Sequence, residues 1–270
     1  MGVPRSGALD AAAHSLANRL VGNEESAAVL ETTADGVELA FDTGAVIAVT
    51  GALAPVQVDG RAAGWSLPVY VRAGQVLDVG RALRGVRSYV AISGGLQVPK
   101  VLGSASTDLL SGLGPPPLAA GAILAVGPPP GRFAQVDLAP YLLPTDHAEL
   151  AVHPGPRHDW LSAAGVTTMA TGEWSVAPQS NRIALRLDGP AAERCRHEEL
   201  PSEGLVTGAV QALPGGQLVV FLADHPTTGG YPVVAVVDPA SMGACAQARP
   251  GTTVSFRWLT ASGRRQAMPA

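Results

Sequence analysis

The sequence predicts a mainly β fold with a few short helices, and three observations carry that reading. Glycine and proline, 32 and 23 of 270 residues, exceed an ordinary usage of roughly 7% and 5% and are scattered over the whole chain. They cut it into many short segments, as all-β chains are cut. Those segments are rich in Val, and VQVDG (56–60) and QVLDVG (75–80) alternate apolar with polar residues, the period of a strand with one solvated face.

Taken in order, DAAAHSLANRLVGN (10–23) predicts a helix. Asp10 suits its N-cap, Ala13, Leu16, Ala17 and Leu20 mark one face, and Gly22 suits the position after its end. NEESAAVLE (23–31) predicts a shorter helical turn whose leading acids complement its N-terminus. From Val37 to about Gly131, VELAF, AVIAVTG, VQVDG, LPVYVRAGQVLDVG and YVAISGG predict strands and turns. PPPLAAGAILAVGPPPGRF and the chain up to about Pro154 hold many prolines and few periodic positions. A boundary is placed there, between about 128 and 150, dividing a β-rich subdomain 1–140 from a second, 141–270.

The second half predicts a short helix in RHDWLSAAG (157–165) and strands in QSNRIALRLDGP (179–190) and GLVTGAVQALPGG (204–216). A hairpin of LVVFLA (218–223) and VVAVV (233–237), a short helix near 240–247 and the strand TVSFRWL (253–259) follow. The tail ASGRRQAMPA (261–270) is expected to be mobile. No repeat of solenoid or propeller length is visible.

Composition narrows the function classes. A net charge of −4 leaves no electrostatic footprint for nucleic acid. The apolar runs are shorter than the ~18 residues that suggest a membrane span, and MGVPRSGALD lacks a secretory pattern, so a soluble cytoplasmic protein is expected. Cys195 and Cys245 are fifty residues apart with no paired motif and are expected to be buried free thiols. Lys100 is the only lysine, and no phosphate-binding loop, dinucleotide fingerprint, zinc-helix motif or nucleophile elbow occurs. His153 and His158, in HPGPRH, lack an acidic partner set, and no metal site is assigned.

Four segments carry polar groups at strand or helix ends. GVPRSGALD (2–10) places Arg5 and Ser6 before a helix N-terminus, where free N–H groups attract anions. GSASTD offers Gly103, Ser104, Ser106 and Thr107 as donors for an oxyanion. QSNRIALRLDGP sets Asn181 and Arg182 ahead of an apolar alternation. DHPTTGGYP (224–232) joins two Val-rich runs with nine residues, where a hairpin needs two to five. Each is open to a plain reading as turn chemistry, and to convergence on a single cleft.

The segments GVPRSGALDAAAHSLANRLVGN, YVAISGGLQVPKVLGSASTD, QSNRIALRLDGP, SEGLVTGAVQALPGG and DHPTTGGYP resemble, in this order and from residue 2 to about 257, the KipA/PxpC family. That family has also been called allophanate hydrolase subunit 2 and biotin-dependent carboxyltransferase. The resemblance implies two cyclophilin-like β-barrel subdomains, a KipI/PxpB-like partner and a PxpA-like third subunit. With these the assembly would be an ATP-dependent 5-oxoprolinase, opening 5-oxoproline to glutamate, with Mg-ATP shared with the partner subunit.

Two alternatives stay open. One is carboxyl transfer from carboxybiotin to urea or a similar small amide, with the biotin on a separate carrier. The other is a regulator that binds a KipI-like kinase inhibitor. A homo-oligomer is also open. On the first reading Asp224 is the acid/base or orienting carboxylate. Thr228, Gly229 and Gly230 donate to an oxyanion or phosphate, and Tyr231, Gln211, Asn181 and Arg182 line the cleft. Members of the family carry a strand with a Q-D-x-G-R-x-G-like segment ahead of GVPRSG, so a preceding strand is expected to be missing from a chain that begins at Met1. They also carry Arg where Ala105 stands, a Gly-Arg pair near Pro116, and Arg-Gln where His225 and Pro226 stand.

Overall fold

The structure, a computed structural model, describes residues 2–137 and 139–259, so the tail 261–270 lies outside the described residues. Two units divide the chain: one holds residues 10–107 and 114–145, the other the described residues of 1–9, 108–113 and 146–270. Residues 2–9 and 108–113 thus group with the C-terminal unit and not with the stretches next to them in sequence.

The N-terminal unit opens on α1 (Ala11–Leu20), capped as its sequence predicts. The Asp10 carboxylate accepts the Ala13 N–H at 3.0 Å, satisfying one of the free donors of the first turn. Gly22 follows the helix at φ +78°, where a Cβ would meet the Arg132 carbonyl oxygen, so only glycine fits. Ala13, Ala17 and Leu20 are buried, and the buried Thr50 hydroxyl donates to the Ala13 carbonyl at 2.7 Å.

The strands are β1 (Leu30–Thr33), β2 (Val37–Ala40), β3 (Ala45–Leu53), β4 (Val56–Val58), β5 (Arg61–Ala62), β6 (Val69–Val71), β7 (Val76–Val79), β8 (Arg84–Ile92), β9 (Leu96–Gln97) and β10 (Ala125–Val126). Two four-stranded antiparallel sheets, β1-β8-β3-β6 and β2-β7-β4-β5, share one core of Ile47, Val49, Val90 and Ile92 with Val56, Leu77 and Val79. The helical turn expected at 23–31 is absent: the chain makes one turn at Glu25–Ser26 and enters β1. The buried Asn18 amide donates to the carbonyls of Glu25 and Ala27, taking acceptors that a helix would need.

A polar network joins α1 to the first sheet. The Tyr89 hydroxyl accepts the Asp10 N–H at 2.7 Å and donates to Glu31 at 2.9 Å, while Arg87 stands 3.6 Å from Glu31. Burial, and then the Glu31 charge, hold the Tyr89 hydroxyl well above its ordinary pKa.

In the C-terminal unit the elements are β11 (His147–Pro154), a 3-10 turn (His158–Trp160), α2 (Ala163–Thr171), β12 (Glu173–Val176), β13 (Ala184–Asp188), β14 (Glu203–Gly204), β15 (Ala209–Ala212), β16 (Leu218–Phe221), β17 (Thr228–Gly229), β18 (Val233–Val237), a 3-10 turn (Pro239–Ser241), α3 (Met242–Gln247) and β19 (Thr253–Trp258). Seven strands close a barrel in the order β11-β18-β15-β16-β13-β12-β19, with β19 returning parallel to β11. Its filling includes Leu150, Val152, Trp174, Leu185, Leu187, Val220 and Phe256, and Trp174 meets Phe256 edge to face at 5.2 Å. β16 is buried on both faces: Leu218 and Val220 join this core, while Val219 and Phe221 join Leu205, Ala209 and Val233 in a second cluster. That explains its unbroken apolar text.

Three expectations are corrected here. The helix read at 157–165 is a 3-10 turn followed by α2, which runs on to Thr171. The proline-rich approach to Pro154 contains β11, whose Ala148, Leu150 and Val152 alternate inward. LVVFLA and VVAVV are not a hairpin. β15 lies between them, antiparallel to both, so β16 and β18 run parallel. Two strands that run parallel need a connection that travels back along the strand length, which is why this one is long. Of the two thiols, Cys245 is buried and its pKa is pushed up to about 12 by that burial, whereas Cys195 is exposed. No helix among the described residues is long and apolar enough to cross a membrane.

Leu150→Ala, in the barrel filling, is expected to lower unfolding free energy by about 2–5 kcal/mol in urea titrations. His14 has its pKa lowered from 6.5, mainly by burial, against a backbone hydrogen bond to Ala27 and the Glu31 charge, which raise it. The unfolded chain therefore binds the proton first, and stability should fall as pH drops below 6.5. His14→Gln should flatten that part of the pH profile.

Candidate functional site

At the end of β16 the chain turns at Asp224, whose residue has no exposed surface. A buried carboxylate is tolerated only if donors surround it, and four hydrogen bonds do so here. Oδ1 accepts from the Ser6 hydroxyl at 2.7 Å and from Arg182 Nη2 at 3.0 Å. Oδ2 accepts from Arg182 Nε at 3.0 Å and from the Leu109 N–H at 3.2 Å. The Arg182 fork is thus bidentate, the strong geometry for this pair. Its Nη2 also donates to the Gly7 carbonyl at 2.6 Å.

Three remote stretches meet at this one carboxylate, all within the C-terminal unit. The N-terminal stretch arrives in a tight turn with Ser6 at φ +49° and Gly7 at φ +92°. A serine in the left-handed region costs about 1–3 kcal/mol, and its bond to Asp224 helps hold it there. Gly2 lies against Thr227: a Cβ there would be 2.5 Å from the Thr227 hydroxyl oxygen. The stretch 108–113 closes on itself, with Asp108 Oδ1 accepting the N–H groups of Leu110 and Ser111, and presents Leu109 N–H to Asp224.

Beyond Asp224 the connection runs outside the barrel. β17 pairs with β14, Glu203 opposite Gly229 and Gly204 opposite Thr228. Gln211, 3% exposed, donates from Nε2 to the Tyr231 carbonyl at 2.9 Å. A Cβ on Gly229 would sit 2.8 Å from that same amide nitrogen, so this glycine lets the ribbon lie close over β15. Arg157 grips Glu203 through Nε and Nη2 and holds the Glu203 carboxyl below its ordinary pKa. What faces outward from the connection is Thr228, Gly230 and Tyr231, the last 45% exposed.

The remaining candidates divide. Ser6, Arg182 and Asp224 come together, and Gln211 packs beneath Gly229. Asn181 accepts the N–H groups of Ile183 and Ala184 through Oδ1, an Asx turn that starts β13. Arg5 is exposed. In the N-terminal unit, Ser104 accepts the Ser106 N–H, Ser106 donates to the Thr107 carbonyl, and Thr107 donates to the Pro115 carbonyl at 2.7 Å. Those hydroxyls therefore stabilise their own loop. His153 bonds Asp238 at 2.9 Å and lowers its pKa, and His158 bonds the Gly155 carbonyl at 3.0 Å. Sequence reasoning missed the Leu109 N–H, a backbone donor that no side chain announces.

The model of the carboxyltransferase domain, subdomain A and B, matches residues 1–258. The chain belongs to that family. It is 36% identical over 260 residues to the C component of 5-oxoprolinase from Escherichia coli, covering 94% of this chain and 83% of that one. To the C component of 5-oxoprolinase from Haemophilus influenzae it is 32% identical, covering 94% and 82%. The urea amidolyase of Saccharomyces cerevisiae is 30% identical over 95% of this chain but only 15% of its own. Among solved structures, that of TTHA0988 superposes with a TM-score of 0.85 at 34% identity, covering 94% of this chain and 50% of that one. The Kluyveromyces lactis urea amidolyase gives 0.87 at 30%, covering 96% and 17%. The carboxyltransferase fold of these neighbours agrees with the mainly β class expected here, with three short helices and a closed seven-stranded barrel.

For this member of the carboxyltransferase domain family, Asp224→Asn is expected to cost about 3–5 kcal/mol, because it leaves the Arg182 charge without its partner. Ser6→Ala, which removes one donor from the same carboxylate, should cost about 1 kcal/mol. Urea unfolding of the two variants against the parent chain measures both.

Proposed function

We propose that this chain is the C component of an ATP-dependent 5-oxoprolinase and acts in the cytoplasm with PxpA- and PxpB-like partners. The observation that carries the reading is coverage: relatives named as that component of 5-oxoprolinase align with 94% of this chain and over more than four fifths of their own length, at 36% and 32% identity. ATP would supply the activation of the lactam carbonyl. Water then adds to the activated carbonyl carbon and places charge on its oxygen, and the C–N bond breaks as the departing nitrogen takes a proton, with ATP leaving as ADP and phosphate.

The side chains available suit that demand in two layers. Thr228 and Tyr231 hydroxyls and the Gly230 backbone face outward on the crossover and would donate to an oxyanion or a phosphate. Asp224, enclosed by four donors and without exposed surface, would orient this loop and not exchange protons with substrate. Of its two possible duties, acid/base and orienting, the orienting one is the one proposed for Asp224, with Arg182 and Ser6 as its supports. Gln211 holds the far end of the loop through the Tyr231 carbonyl.

A second reading is favoured by the family description and by the TM-score of 0.87 with urea amidolyase: carboxyl transfer to a small amide. Carboxybiotin on a separate carrier would supply the carboxyl group.

The test is ATP turnover on reconstitution with both partner subunits. The first reading expects turnover stimulated by 5-oxoproline and lowered roughly tenfold or more by Thr228→Ala, with no loss of melting temperature. Carboxybiotin-dependent carboxylation of urea without that stimulation would replace it with the second. Capture of a KipI-like partner with neither activity would leave a regulator.

A further inference from the structure

Arg194 lies past the opposite end of β13 from Arg182 and is 7% exposed. The chain there is pinned: Arg194 bridges to Leu161, the Cys195 N–H donates to the Trp160 carbonyl at 2.8 Å, and the Ser162 N–H donates to the Glu193 carbonyl at 3.0 Å. The guanidinium carbon stands 5.5 Å over the centre of the Trp160 ring, and Nε donates to the Arg196 carbonyl at 3.2 Å. Its Nη groups have no acceptor, and no carboxylate pairs with it, among the described residues.

The nearby acids are engaged elsewhere. Glu193 accepts from the Ser162 hydroxyl at 2.7 Å, and Asp159 pairs with Arg196 at 3.3 Å. The other deeply set arginines have their counter-charges, Arg182 on Asp224 and Arg87 beside Glu31. Burying a guanidinium without an anion is costly, and that cost is normally met by pairing. The Trp160 indole N–H in the ring beneath it, unlike the Nη groups, is shut away from water and has no acceptor among the described residues. The Nη edge of the guanidinium is thus held flat on the ring and left open to solvent, with no anion from the described residues against it.

We propose that Arg194, stacked on Trp160, is a carboxylate-binding site. Stacking fixes the guanidinium plane, so an anion must approach edge-on in that plane. A planar carboxylate does this with two parallel hydrogen bonds from the open Nη edge. The carboxylate belongs to a free small molecule or to an Asp or Glu side chain of a partner protein. The site requires neither the Asp224 cluster nor the 5-oxoprolinase reading.

The full-length chain is titrated at constant ionic strength with glutarate and, separately, with a blocked Gly-Glu-Gly peptide, following indole fluorescence. Saturable change is expected in the parent chain, with affinity roughly tenfold or more weaker in Arg194→Gln and the signal lost in Trp160→Phe. Tighter binding of glutarate assigns a free ligand; tighter binding of the peptide assigns a protein side chain. Unchanged affinity in Arg194→Gln, or no saturation by either probe in the parent chain, overturns the proposal. Should Arg194→Gln fail to fold, Arg194→Lys decides: it keeps the charge and loses the fork, and affinity equal to the parent's overturns the site.

Discussion

A carboxylate shut away from water has to be surrounded by hydrogen-bond donors, and the C-terminal unit is arranged around that requirement at Asp224. No single neighbouring stretch provides enough of them. The guanidinium of Arg182 comes from the entry to β13, the hydroxyl from Ser6 at the start of the chain, and the N–H from Leu109 in an excursion of the other unit's sequence. The charge pair makes a weak case for net stability, since desolvation offsets much of its attraction. Its effect is on position: breaking it is expensive, so the three stretches are held to one point on the barrel. The crossover 222–232 starts there.

A second constraint is topological. Once β15 lies between β16 and β18, the connection after Asp224 must come back along the barrel before the next strand can begin. A segment that crosses over an apolar wall needs something to lie on. Val219, Phe221, Ala209, Leu205 and Val233 supply that surface, and the β14–β17 ribbon lies over it. Gly229 allows the close approach and Gln211 ties down the last turn. The outward residues are then held by a frame fixed at both ends, which is the condition a binding loop needs to be pre-organised.

Much of the fold was legible because its signals are local. Asp10 and Gly22 bracket α1 as a cap and a left-handed exit, and β4, β7 and β19 show their period plainly. β11 was not legible, since its inward Ala148, Leu150 and Val152 follow a proline-rich approach that suggests only a linker. The turn expected at 23–31 failed because Asn18, far enough away in sequence to be invisible to a helix argument, holds the carbonyls of Glu25 and Ala27. At the site, Ser6, Arg182 and Asp224 were nameable from residue type. Ser104, Ser106 and Thr107 looked equally suitable, yet their hydroxyls are bonded within their own loop.

The sequence by itself determined which residues could carry charge, hydroxyls and tight turns, and where period and punctuation allow a strand or a helix, because those properties depend on neighbours a few positions away. Tertiary structure alone decided that LVVFLA and VVAVV are parallel strands with a third between them, that Asp224 is enclosed, and that Arg194 is largely buried with no counter-charge among the described residues. Each depends on partners tens or hundreds of residues distant. Strand order, burial and pairing are set by which surfaces exclude water together, and no local pattern encodes that.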